Sequence, residues 1–472
     1  MERTFPGTRL PITVRPGAGT PGGPVLPAAL LAAALGIGCQ DVRTPVEEQS
    51  ADAEPRPVPT AAFPGEMLPG TDPAAFAEAL EAFNEEEDIE NGLGPIFNEV
   101  GCGTCHSIPA VGGSGDQIER RFGRLDAGVF YGYDDEHGGT LRQLLSVGTY
   151  TVGDQECTIP VEEEPADATA RDVGRRTQPV FGLGLVDAMP DEFFARLAAR
   201  QPSEIRGIVR RVPVALPDPR DPTQSVGAMR VARFGWKANV PTLLQFSADA
   251  YTNEMGITTQ SCFEGQTIVD FAFENLPNNV APPPGCNGGD LAPRQPAHEH
   301  VPEFADDVVG PCDGNLTEIQ DDLLLFTTFM ESLAPPPPVS DPHVIRRGRP
   351  LFIKVGCAGC HVTKTFVTPR DPFNGVPGHY PFQPYSDFLL HDMGSLGDGI
   401  GDTGDDEPTT RLMRTQPLWG ARFNNLFLHD GRARDIRSAI EAHDGQAARA
   451  RERFLEMRPE AQQALIDFVR SL

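Results

Sequence analysis

The apolar positions of the chain fall into a few distinct blocks. Residues 26–37, LPAALLAAALGI, are continuously apolar and follow a segment carrying Arg3, Arg9 and Arg15. The block is shorter than the ~20 residues of a membrane-spanning helix and reads as the core of a secretory signal, residues 1–38. Residues 39–75, rich in Pro, Ala, Asp and Glu without apolar periodicity, predict a solvated tether. Two later blocks have helical spacing. Ile319, Leu323, Phe326, Met330 and Leu333 share one face after the capping-box spacing Thr317–Gln320, and Ala461, Leu465, Phe468, Val469 and Leu472 do so after Pro459. The Pro-rich stretches 277–302 and 334–342 can sustain neither a helix nor a central strand. Alternating strand patterns are few, so the predicted body is mainly α with long loops.

The chain also repeats itself. PIFNEVGCGTCH at 95–106 parallels PLFIKVGCAGCH at 350–361, and RTQPVFG at 176–182 is echoed by RTQPLWG at 414–420. The order is the same in both copies, which predicts two domains related by internal duplication: 76–335, enlarged by insertions, and 341–472.

Composition narrows the choice of partner. The 472 residues hold 39 Lys and Arg against 67 Asp and Glu, a formal net charge of −28, which excludes a nucleic-acid binder working by bulk electrostatics. The same acidity suits a small electron donor with a basic docking face. The 49 Gly and 47 Pro account for the long loops. Gly36-Ile37-Gly38-Cys39 resembles the lipobox of bacterial lipoproteins. The expectation is an exported, periplasmic lipoprotein of a bacterium, held to the membrane by a lipid at Cys39; ordinary signal cleavage is the alternative.

The chemistry lies in the repeated C-x-x-C-H. Two thiols at this spacing, Cys102 and Cys105 or Cys357 and Cys360, can form thioethers with the two vinyl groups of a porphyrin edge while His106 or His361 turns onto the iron. Zinc knuckles or a thioredoxin-type pair would leave the following histidine or the duplication unexplained. Two covalently bound c-type haems are therefore expected. As sixth ligand of the second haem, spacing selects Met393, with His391 the alternative; for the first it selects His137, with Met255 the rival. Arg176 and Arg414 are the leading partners for haem propionates because they recur, ahead of Arg120, Arg121, Arg124 and Arg432. Cys157, Cys262, Cys286 and Cys312 form an even remainder, expected as two disulfides of open pairing. The acidic, Gly-rich stretch 398–407 is a candidate calcium loop without the EF-hand register.

The segments RTQPVFGLGLVDAMPD (176–191), RFGWKA (233–238), NEMGIT (253–258), YSDFLLHDMG (385–394), RTQPLWG (414–420) and HDGRARDIRSAIEAH (429–443) resemble the bacterial di-haem oxidoreductase family. The resemblance covers about residues 90–472. It implies two cytochrome c-like domains, a catalytic haem in the first and an electron-accepting haem in the second, with Trp236 between them. The expected function is a peroxidase-like oxidoreductase passing electrons from the second haem to the first, with Glu136 or Glu254 moving protons. The alternative is a non-catalytic electron-transfer lipoprotein serving a respiratory or metal-uptake complex.

Overall fold

The computed structural model describes residues 65–472 apart from 89–91, 153, 258, 265, 270–316, 318 and 320. The signal, most of the tether, Cys39, Cys286 and Cys312 lie outside the described residues. In chain order the elements that position the site are α1 (Pro73–Phe83), α2 (Cys102–Cys105), β1 (Ile118–Asp126), β2 (Val129–Tyr131), α3 (Asp134–His137), β3 (Leu141–Arg142) and β4 (Ala170–Arg176). They are followed by α4 (Leu243–Met255), α5 (Asp321–Ser332), α6 (Pro342–Val355), β5 (Leu390–Asp392), β6 (Leu412–Arg414), α7 (Ile436–Glu441) and α8 (Pro459–Arg470).

The expected mainly-α, cytochrome c-like architecture is not what the chain forms: 34% of it is helix and 18% strand, in several small sheets. The largest sheet sets β1 against β2, β3 and β4, all antiparallel. Its sequence hides it. In IERRFGRLD the arginines fall on both faces, which erases the period-2 signal, yet each finds a partner: Arg121 bonds Glu119 and Thr140, and Arg124 bonds Asp167 and lies over the Tyr131 ring.

The helices follow the apolar pattern. α1 is capped by Asp72, whose carboxylate accepts from Ala74 N, and it packs on α5 through Phe76, Phe83 and Phe329. The apolar face predicted for α5 is buried, but Thr317 does not cap it: the Thr317 hydroxyl accepts from Glu264 N and the helix begins at Asp321. Against α6, α8 packs Phe468 on Phe352. Burying such side chains stabilises by about 1.5–3 kcal/mol each. One core holds α1, α4 and α5 together with Phe382, Phe388 and Trp419, so residues on both sides of the 334–342 connector share it.

The two copies of the repeat adopt different structures. PLFI at 350–353 lies inside α6, which Asp341 caps and which runs through Pro350. PIFN at 95–98 contains a short strand, Ile96–Phe97, paired with Leu145–Ser146. Gly94 just before it has φ +88°, and a Cβ there would strike Val147 at 2.7 Å, so a helix cannot run into Pro95.

Candidate haem sites

Both C-x-x-C-H segments close the same turn. His106 N donates to Cys102 O and His361 N to Cys357 O, each at 2.9 Å. The imidazole Nδ1 atoms face backbone carbonyls, His106 that of Gly113 at 3.2 Å and His361 that of Tyr385 at 2.9 Å. A carbonyl there holds the proton on Nδ1; at His361 this leaves the Nε2 lone pair for a metal, while the His106 imidazole also meets the Gln178 backbone carbonyl. Burial pushes the pKa of each histidine down to about 4, which keeps both neutral. The four thiols are free, whereas Cys157 and Cys262 are disulfide-bonded. Burial raises Cys102 and Cys357 to about 12.

Beside the second motif lies a cavity of about 900 Å³, walled by Cys357, Cys360, His361, Trp236, Arg176 and Arg414 among others. Its arginines decide what it can hold. Arg176 and Arg414 are buried, 6% and 5% exposed, and neither forms an ion pair with a carboxylate among the described residues. Arg176 donates to Leu426 O and Asn424 Oδ1; Arg414 donates to Gly235 O, Thr415 O, Gln178 Oε1 and Gln416 Oε1. Burial lowers their pKa values to about 10 and about 9, outweighing the opposing charges of Asp116 and Asp387. The Nε of Arg176 and the Nε2 atoms of Gln178 and Gln416, all on this wall, are buried donors without acceptors. Free thiols, an open imidazole nitrogen and unpaired donors suit a haem, with its iron and two propionates. The other candidate arginines already have protein carboxylates: Arg120 pairs with Asp172, Arg121 with Glu119, Arg124 with Asp167 and Arg432 with Asp430.

The arginines also cross-link the two copies. Each ends a strand, Arg176 opposite Ile118 in β1 and Arg414 opposite Leu390 in β5. Arg176 N donates to His429 O, and Arg414 N to Trp236 O. The acceptors sit in matching turns, one closed by a Phe234–Val240 bridge and the other by Phe427–Ala433. Trp236 Nε1 returns a bond to Arg176 O at 2.9 Å, and its ring meets His429 edge-on at 6.2 Å. The repeated glycines complete the exchange: a Cβ on Gly182 would meet Trp419, and one on Gly420 would meet Phe181, each at 2.8 Å.

Around the first motif the charges are carboxylates. Glu254, at the end of α4, hydrogen-bonds Glu119 of β1 and accepts from Asn98 Nδ2 at 3.0 Å, while Arg121 Nε bonds Glu119 at 2.8 Å. Burial and the Glu119 charge push the Glu254 pKa well above its ordinary value; burial opposes the Glu119 carboxylate too, but Arg121 and Arg175 outweigh it and its pKa falls. The two shifts favour the proton on Glu254 and the charge on Glu119. Burial raises the Cys105 thiol, and the Glu119 charge adds to the rise.

A family model described as "di-haem oxidoreductase, putative peroxidase" matches residues 166–472. The chain belongs to this family. The match takes in both RTQP segments and the second C-x-x-C-H; the first lies ahead of it. Among solved structures, a chain of hydrazine synthase from Kuenenia stuttgartiensis, pressurised with 20 bar xenon, is similar at 18% identity with a TM-score of 0.22. That alignment covers 33% of this chain and 57% of the other, and it carries no argument about fold or chemistry. No curated protein matches.

In this di-haem oxidoreductase the remaining sequence candidates are scattered. Glu136 is exposed and accepts from Tyr131 Oη at 2.6 Å. His137 of α3 faces Glu162 at 3.0 Å and packs on Phe122 and Tyr133 rather than on the first motif. Met255 is buried in the main core. Asp398 gives both carboxylate oxygens to Arg175 and Lys237, each at 2.8 Å, and Asp402 pairs with Arg210, so these two acids of the candidate calcium stretch are engaged by cations. Met393 and His391 do line the second cavity. Sequence reasoning passed over Glu119 and His443. The latter was legible as a helical stripe, since Ile436, Ala439, Ile440 and His443 all face the cavity.

Proposed function

We propose that this di-haem oxidoreductase is an exported, periplasmic c-type enzyme of peroxidase-like activity, with Cys102/Cys105 and Cys357/Cys360 as thioether attachments and electrons passing from the second site to the first. When bound, each haem supplies a one-electron couple tuned by its axial ligands and burial. The chain's own residues do the rest. Arg176 and Arg414 hold the propionates, and His106 and His361 present Nε2 to iron. Gln178 spans the two sites: its backbone abuts the His106 imidazole, its side chain accepts from Arg414, and it lines the second cavity. Trp236, clamped between the same arginines, is the aromatic bridge. Glu254, whose carboxyl burial and the Glu119 charge hold toward the protonated form, stores a proton beside Cys105 for a reduction that consumes protons. The acidic surface receives a basic electron donor, and a lipid on Cys39 keeps the enzyme at the membrane.

The observation that carries the reading is the pair of buried guanidiniums facing a cavity beside free C-x-x-C thiols. The test begins with denaturation in acid acetone, after which the porphyrin should stay with the polypeptide; release would end the covalent reading. Fully reduced protein mixed with hydrogen peroxide should then reoxidise with two electrons and two protons consumed per peroxide, giving two waters. Retained haem without that reaction would instead establish the non-catalytic electron carrier.

A further inference from the structure

Three histidines other than His361 line the second cavity, and their hydrogen bonds separate them. His391 is engaged at both nitrogens, with Nε2 3.0 Å from Asp387 Oδ2 and Nδ1 3.2 Å from Gln446 Oε1. His429 stands edge-on to Trp236 with Nε2 turned toward Asp430 at 3.9 Å. His443 is different. Its Nδ1 faces the Ala439 carbonyl at 2.7 Å, one helical turn back, and no described residue bonds its Nε2. This is the device that presets Nε2 at His361. His443 and His361 line the same cavity.

We propose that His443 is the axial ligand opposite His361 at the second haem, in the place that chain spacing alone gives to Met393. The inference rests on the haem reading of this cavity. Met393 lines the same cavity, and its backbone lies against Gly445, two residues after His443. The imidazole arrives already oriented by its ring hydrogen bond, whereas a thioether is at best a weak acceptor with nothing equivalent to fix it. An imidazole pair also sets a lower potential than imidazole with thioether, which would favour onward transfer of the electron.

Full-length protein loaded with haem tests this by near-infrared magnetic circular dichroism and EPR, with haem content measured on the same samples. The wild type and Met393→Leu should share a bis-imidazole signature at the second site. His443→Met should gain a sulfur-to-iron charge-transfer band and a higher second-site potential, and His443→Ala should turn that site high-spin. A second-site spectrum altered by Met393→Leu and untouched by His443→Met would overturn the assignment. If His443→Met does not fold, the wild-type and Met393→Leu spectra decide between the two ligands. Absence of covalent haem at Cys357 and Cys360 would sink the haem reading itself; two haems with a thioether-ligated second iron would sink only the role of His443.

Discussion

Near Cys105 the chain gathers carboxylates, Glu254, Glu99 and Glu119, while the cavity beside His361 is walled by guanidiniums and imidazoles, with the carboxylate of Asp387 acting on His361. The pentapeptides and their turns are alike, down to the carbonyl behind each Nδ1. The difference therefore comes from residues far away in sequence. A C-x-x-C-H turn fixes how a haem is held, and the surroundings fix what it can do: one site is equipped to hold a proton, the other to hold anions.

Four experiments test this contrast. The largest effect belongs to Cys357→Ser with Cys360→Ser, which should halve the covalent haem per chain while the His106 haem survives, read by mass spectrometry of the intact protein. Loss of both haems would mean that the sites are not independent in attachment. Next, Arg414→Leu should lower the stability of the haem-loaded protein by about 3–5 kcal/mol, since a buried propionate loses its partner. The same substitution should raise the stability of haem-free protein, because a buried charge without an anion is removed; thermal melts of both forms decide.

Glu254→Gln addresses the acidic site. A raised carboxyl pKa contributes stability that is complete below the ordinary value of 4.5 and is lost as pH rises through the higher native value. The glutamine variant, which can still donate to Glu119, should lose that slope and be more stable near neutral pH by about 1–2 kcal/mol. Denaturant titrations between acid and neutral pH test it, and an unchanged slope would remove Glu254 as the proton holder. The smallest static effect is expected of Trp236→Phe, which should slow electron passage between the sites in stopped-flow while leaving both haem spectra unchanged.

Much of the second site was legible in the chain. The C-x-x-C-H spacing, the recurring Arg176 and Arg414, and Trp236 within RFGWKA are local signals, and the structure brings all but the first C-x-x-C-H to one cavity. The α5 and α8 faces were equally plain, because helical periodicity survives in sequence. What did not show was anything made by distant pairing. Glu119 looks like one charge among the arginines of β1 until Glu254 lies beside it. The sheet itself was invisible because arginines occupy the positions where alternation should appear. The helix in one copy and the strand in the other were hidden by the similarity of the two segments, since the deciding residues, Gly94 and Asp341, lie upstream of the match.

The exchanged arginine bonds bear on how the chain can be divided. Cut within 334–342, the N-terminal fragment keeps Arg176 but not the His429 carbonyl that receives its amide, and the C-terminal fragment keeps Arg414 but not that of Trp236. Neither piece can complete its own half, yet each carries what the other lacks. The two fragments should be inert apart and should reassemble when co-expressed, as partners in complementation rather than as separable modules.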